Sequence, residues 1–216
     1  MRLHEEKELF REAVQAASQQ LNIPEIYIEK DYWVTVALFK IFSSPAGKFA
    51  IFKGGTALSK CHRLIERFSE DIDIVVVKKE GEAGNKLKNK LKAITDALAG
   101  IMPEIQLDGI TNKLGMMIGK QQEDIVRDYN MQPFNVLVLS KECTFCEKIM
   151  SLVRFSFTED PYTDLANKIR HIYDLHMMLK NTEIKTFFDS PYFDSKVRKR
   201  PGRKFASHIK PHSKIS

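Results

Sequence analysis

The chain has 216 residues, 43% of them hydrophobic, and 34 Lys/Arg against 28 Asp/Glu, a net charge of +6. That length fits one domain, or one domain with an appendage, and the apolar content can fill a core. No apolar run approaches the roughly 20 residues needed to span a bilayer, and the opening MRLHEEKELF has no apolar signal core; these features exclude a helical membrane protein and predict a cytoplasmic one.

The charge is uneven. Residues 195–216 carry eight Lys/Arg and no Asp/Glu, which leaves 26 basic against 28 acidic residues, a net of −2, in the rest. Such a basic tail reads either as a disordered segment touching nucleic acid nonspecifically or as a solvated end without a role. The three cysteines, Cys61, Cys143 and Cys146, are odd in number and few, which predicts reduced thiols. The Cys143-x-x-Cys146 spacing has no second CxxC to complete a zinc site, so ordinary packing is the preferred reading over metal or redox chemistry.

In chain order, Phe10, Val14, Ala17 and Leu21 share a face and predict a helix over 4–21. Pro24 starts a second helix that runs to about Phe42, with Trp33, Val36, Ala37 and Ile41 on its apolar side. SSPAGK at 43–48 is a loop. FAIF reads as a strand, Gly54-Gly55 as a turn, Thr56 to about Ile65 as a helix, and DIDIVVV (71–77) as a second strand whose direction the spacing leaves open. Residues 86–100 form a basic amphipathic helix with Leu87, Leu91, Ile94 and Leu98 inward. EIQLDGI (104–110) suggests a short strand, 111–132 a loop or irregular helix, and FNVLVLS (134–140) a strand. Helices follow at 145–157 and at 162–180, the latter with Leu165, Ile169, Ile172, Leu175 and Leu179. The expected class is α+β. The expected parts are N-terminal helices (1–44), an α/β core (45–140), a helical C-terminal part (141–190) and the basic tail (191–216).

Asp71 and Asp73 interrupt an otherwise apolar strand. Residues two apart point to the same side, so the carboxylates project together while Ile72, Ile74 and Val76 face the other way. Two close like charges repel unless a cation sits between them. Mg²⁺ suits carboxylate oxygens and keeps its other positions for water and phosphate. Gly54-Gly55, between a strand and a helix, lets backbone approach a ligand and offers free N–H groups to an anion, with the Thr56 hydroxyl beside them. The order is not a phosphate-binding Walker loop, because Lys53 precedes the glycines. Strand, double glycine, helix, then RFSEDID and a strand predicts a metal-and-phosphate site; a plain turn and a solvent-facing strand end are the alternative.

FKGGTALSK followed by RFSEDIDI resembles the signature of the AbiEii/AbiGii toxin family of nucleotidyltransferases, within the polymerase-beta-like superfamily. IEKDYWVT (28–35), TFCEKIMSL (144–152) and KIRHIYDL (168–175) are similar to further blocks of that family, in its order, so that the resemblance covers roughly residues 25–180. It implies a small mixed sheet flanked by helices, with a helical C-terminal part closing a cleft. It implies that Gly54, Gly55, Thr56 and Ser69 hold the nucleotide, that Asp71 and Asp73 ligate Mg²⁺, and that Lys148 and Asp174 complete the catalytic set. Arg67 and Lys53 are secondary candidates. The bland alternatives are a surface Lys148 paired with Glu147, and an Asp174 that caps its helix or pairs with Arg170. The implied partners are an NTP, an RNA acceptor such as tRNA, and a separate DNA-binding antitoxin.

The sequence departs from the family in two places. A third carboxylate is expected on a strand between the paired acids and the EK block, yet Asp108 and Asp124 are the available candidates and neither sits in apolar alternation. The C-terminus also turns abruptly into a Pro- and Lys-rich tail. A truncated copy that binds nucleotide or RNA without transfer is therefore one alternative, and a nucleotidyltransferase acting on an antibiotic-like small molecule is another.

Overall fold

The computed structural model describes residues 1–69, 71–98, 123–198, 209–210 and 214–215. Two long helices lead. Helix α1 (Lys7–Leu21) ends where Asn22 enters the left-handed region at φ 52° and returns its N–H to Ser18 O; Pro24 then precedes α2 (Glu25–Ser43). Asparagine tolerates that conformation better than most side chains. Helix α1 buries Val14 and Ala17 and leaves Leu21 on the surface. Helix α2 is buried on nearly every side, through Ile28, Tyr32, Val34, Val36, Ala37, Leu38 and Ile41, as a helix apolar all round must be.

Strand β1 (Ala50–Lys53) leads directly into α3 (Gly54–Lys60), which starts at the glycines and stops short of the predicted Ile65. The described residues between α3 and β2 (Asp73–Val76) form neither helix nor strand. Strands β1 and β2 are antiparallel, with Ala50 opposite Val76 and Lys53 opposite Asp73. On its other side β1 runs parallel to β4 (Val138–Leu139), Phe52 opposite Val138. From the basic tail, β5 (Ile209–Lys210) adds antiparallel to β4, so the mixed sheet has the order β2-β1-β4-β5. The predicted strand at 134–140 is divided: β3 (Phe134–Asn135) pairs separately with β6 (Lys214–Ile215). Alternation of side chains cannot reveal that a strand changes partner midway.

Helix α4 (Gly84–Leu98) lies against α2, yet none of its residues is fully buried and Leu91 is half exposed. The predicted strand at 104–110 lies outside the described residues; within 111–132, α5 (Glu123–Asp128) is a short helix. The C-terminal part consists of α6 (Lys141–Phe155), α7 (Pro161–Ala166), α8 (Ile169–Leu179), α9 (Thr182–Phe188) and α10 (Pro191–Arg198). The Ser140, Asp160 and Asn181 side chains accept from the backbone N–H groups of Cys143, Thr163 and Ile184 and so start α6, α7 and α9, each cap worth about 1 kcal/mol. The single helix predicted over 162–180 breaks between α7 and α8. Its apolar pattern is also not the buried face: Ile169 and Ile172 are exposed, whereas Asp174 and Met178 are buried.

One core cluster joins α1, α2, Phe52 and Ala57 to Val126, Met131, Val136 and Val138. A second gathers Leu58, Ile65, Phe145, Met178 and Ile184, with Phe145 edge-on to Phe188. The molecule is thus α+β: a small mixed sheet flanked by helices, with helices at both ends of the chain. Cys143 and Cys146 are buried and Cys61 is partly so. No helix among the described residues is long and apolar enough to cross a membrane.

Helix α3 is fixed to α2 by a buried ion pair. Lys60 Nζ lies 2.8 Å from Asp31 Oδ2 and donates to Thr35 Oγ1 at 3.0 Å, with both charged side chains under 10% exposed. Removing one member of such a pair leaves a buried charge without its counterion, which costs more than replacing both. Lys60→Met is therefore expected to lower unfolding stability by about 3 kcal/mol in urea titrations, and the double variant Asp31→Leu, Lys60→Met by less.

Candidate functional site

The end of β1 and the start of β2 meet over the double glycine. Lys53 and Asp73 are cross-strand neighbours, and Gly54 takes φ 81°. A Cβ built on Gly54 would stand 2.0 Å from Asp73 Oδ2, so the carboxylate lies directly on the glycine backbone. A Cβ on Gly55 would stand 2.8 Å from both Ser69 Oγ and an Arg67 guanidinium nitrogen. Each glycine is thus a place where another segment comes into contact with the main chain, and any side chain would push it away.

Thr56 has a different place from the one expected of it. It is fully buried, and its hydroxyl donates to the Asp71 carbonyl oxygen at 2.7 Å. It holds the backbone of the acidic segment against α3 and does not line the cleft. The same segment is anchored from the other side by Phe68, stacked on Tyr27 with ring centres 4.5 Å apart.

The opposite wall comes from α6 and α8. Asp174 is fully buried and takes two cations at once: Arg67 Nε on Oδ1 and Lys148 Nζ on Oδ2, both at 2.7 Å, with a second Arg67 nitrogen on Oδ2, also at 2.7 Å. Burial alone would raise the Asp174 pKa, but the hydrogen bonds and charges of Arg67 and Lys148 outweigh it and hold the carboxyl below its ordinary range. Lys148 is itself buried. The bland readings fail here: Lys148 and Asp174 bind each other across two helices, and Glu147 instead takes Lys53, Nζ to Oε2 at 2.6 Å.

These groups line one cleft of about 970 Å³, with Lys53, Gly54, Gly55, Arg67, Ser69, Asp71 and Asp73 on the sheet side and Glu147, Lys148, His171 and Asp174 on the helical side. Seven of the eight residues named from the sequence are therefore brought together, Thr56 supporting them from behind. Among the described residues neither Asp71 nor Asp73 is ion-paired: the nearby lysines are bound to Glu147 and Asp174. Partial burial pushes the Asp73 carboxyl above its usual range, Asp71 and Glu147 adding to the rise while Lys53 and Lys148 oppose it. A carboxylate pair in this condition fits a divalent cation. No cluster of three or more His, Cys, Asp or Glu suited to a metal occurs among the described residues. Two carboxylates, with water and phosphate oxygens for the rest, is the donor set Mg²⁺ commonly accepts.

Of the further residues that line the site and that sequence reasoning did not assign, three bear on its charge. Glu147 is one, its signal being its place beside Lys148 in CEKIM. His171 is another, one turn before Asp174 on α8 and so on the same face. Its Nδ1 is buried with no partner among the described residues. Burial, then the charge of Lys148, lowers its pKa to about 4 against the pull of Asp174, so the ring is neutral at pH 7. Arg154 is the third, on the same face of α6 as Lys148 and Ser151. Of the candidates for a third acid, Asp124 is exposed, bound to Arg127 at 2.7 Å and absent from the cleft lining; Asp108 lies outside the described residues.

A family model described as nucleotidyl transferase AbiEii toxin, type IV TA system, matches residues 36–130 and 115–200. Those stretches include every cleft residue named above. Nothing among curated proteins or solved structures matches the chain.

The raised pKa of Asp73 sets a stability test. A carboxyl that ionises less readily in the fold than in the unfolded chain costs stability once pH exceeds its folded pKa, and the cost vanishes below its unfolded value. Asp73→Asn is therefore expected to melt at a higher temperature than the parent without divalent metal at pH 7, the advantage shrinking as pH falls toward the unfolded value of about 4 and vanishing below it, as measured by thermal melts across pH.

Proposed function

The chain belongs to the AbiEii family of nucleotidyl transferase toxins of type IV toxin–antitoxin systems, and on that premise we propose that it is a magnesium-dependent nucleotidyltransferase moving a nucleotide from an NTP to an RNA acceptor such as tRNA. The observation that carries the reading is the pair Asp71 and Asp73, both lining the cleft, with Asp73 lying on Gly54, and neither ion-paired to a lysine or arginine among the described residues.

Nucleotidyl transfer places an attacking hydroxyl, an α-phosphorus and a pyrophosphate in line. Mg²⁺ on Asp71 and Asp73 would supply charge neutralisation at the phosphates. The chain's own groups supply the rest. Gly54, Gly55 and the N-terminus of α3 offer backbone N–H groups to a phosphate, and Ser69 adds a hydroxyl at the same point. Lys53 and Lys148 are point cations for the triphosphate. Arg67 and Asp174 keep Lys148 aimed at the cleft, so Asp174 is a positioning residue here.

We assign to Glu147, on α6 rather than on the expected strand, the role of the third carboxylate. It faces the acid pair from α6, close enough to add to the rise in the Asp73 pKa, and its oxygen is held by Lys53. In that position it can accept a hydrogen bond from an attacking hydroxyl and orient it. This bears against the inactive-remnant reading, whose premise is a missing third acid. A protein of this kind works in the cytoplasm, where NTP and tRNA are, and its toxicity calls for a cognate antitoxin made as a separate protein.

Incubation with radiolabelled NTPs, Mg²⁺ and total tRNA tests the reading. Label is expected on RNA. Asp71→Ala and Asp73→Ala are each expected to reduce transfer by at least about 100-fold, the scale of losing one charge-stabilising group, and Glu147→Gln by a comparable factor. Silence of the parent protein with NTP binding retained would establish the remnant reading instead, and label on an aminoglycoside but not on RNA would establish the small-molecule reading.

A further inference from the structure

The cleft is polarised. Its carboxylates, Asp71, Asp73, Glu147 and Asp174, lie at one end together with the glycine turn, where Lys53, Arg67 and Lys148 are ion-paired and Lys53 and Lys148 are the cations assigned to the triphosphate. The other end is lined by Arg154, Phe157, Asn167, Lys168 and Arg170, without a carboxylate.

The helices explain the polarity. Thr144, Lys148, Ser151 and Arg154 recur on one face of α6, so the wall runs toward the helix C-terminus. Helix α8 runs back: Asp174 sits beside Lys148, while Lys168, at the α8 start, stands over the Phe155 ring at 4.6 Å. Six residues of helix separate Lys148 from Arg154, about 9 Å of rise. The basic end is thus displaced from the acid pair along the cleft.

Its chemistry is that of a nucleic-acid strand site. Among the described residues none of Arg154, Lys168 and Arg170 is ion-paired, and no side chain caps the start of α8, so its backbone N–H groups and dipole add to the positive field. Phe157 is 85% exposed beside them. A large aromatic ring offered to water among cations is what stacks an unpaired base while the cations follow its backbone. The acids nearest in sequence, Glu159, Asp160 and Asp164, do not line the cleft. A triphosphate already has its donors at the glycine turn, and a cleft of about 970 Å³ stands at the upper end of the range for one small ligand.

We propose that Arg154, Phe157, Lys168 and Arg170 form the seat of the acceptor strand: they hold the last one or two unpaired nucleotides of an RNA 3′ end, distinct from the NTP seat at Gly54-Gly55. This deepens the preceding reading and rests on it for the RNA acceptor.

The test uses the full chain and two variants, the triple Arg154→Gln, Lys168→Gln, Arg170→Gln and the single Phe157→Ala, each confirmed as folded by its thermal melt. Two affinities are measured: Mg²⁺–NTP by calorimetry, and a fluorescently labelled hairpin RNA with a short single-stranded 3′ overhang by anisotropy across salt concentrations. The triple variant is expected to bind the RNA at least about tenfold more weakly, with a log–log salt slope less steep by about 2. Phe157→Ala is expected to lose about tenfold for the overhang hairpin and little for a blunt one. NTP affinity should change less than about twofold in both. Loss of NTP affinity with RNA binding intact would assign these residues to the triphosphate and overturn the proposal, as would unchanged RNA binding in both variants. If the parent still labels RNA in that case, the enzymatic reading survives. A parent that neither binds nor labels RNA overturns both.

Discussion

The cleft depends on the buried carboxylate of Asp174. A lone charge in that position would cost several kcal/mol in desolvation, and the chain offsets the cost with charge-assisted hydrogen bonds from two cations of different origin. Arg67 comes from the segment before the acid pair and Lys148 from the middle of α6. The planar guanidinium meets both carboxylate oxygens, which fixes direction as well as distance. Through this one residue, on α8, the acidic segment and the C-terminal helices are drawn to opposite sides of a common space.

The other constraint is contact with bare backbone. Antiparallel pairing sets Lys53 opposite Asp73, and Gly54 lets the Asp73 carboxylate rest where a Cβ would stand. Gly55 does the same for Ser69 and Arg67. The two glycines therefore serve structure and site together: they give α3 an open start, and they let the acids and the guanidinium reach it. Thr56 ties the arrangement from behind, and the Asp31–Lys60 pair keeps α3 in place on α2. Residues outside the cleft thus decide where the double glycine and the acid pair stand.

Charge is distributed with economy along the cleft. At its acidic end Lys53 and Lys148 are engaged by Glu147 and Asp174, while Asp71 and Asp73 have no such partner among the described residues, a pattern that favours a divalent ion over a further lysine. His171 sits between the two ends as a neutral ring, because burial and the surrounding cations make its protonated form unfavourable. The positive end beyond it offers flat and charged surfaces together.

Local chemistry made much of this legible in the amino-acid order. The spacing in DIDIV singled out the acids, although β2 begins only at Asp73 and leaves Asp71 before the strand; the double glycine between an apolar strand and a helix marked the turn, and apolar periodicity marked α1, α2 and α6, because these features depend on neighbours within a few residues. Other features depend on partners far away in the chain. The direction of β2, the splitting of 134–140 between two sheets, and the break between α7 and α8 were decided by what each segment packs against. Sequence spacing offered Lys148 to Glu147 and Asp174 to Arg170; the fold joined Lys148 to Asp174 across 26 residues and Arg67 to Asp174 across 107. It buried the α8 face that carries a charge and left Ile169 and Ile172 in water, because a carboxylate with two cations satisfying it is better placed inside than periodicity alone can register.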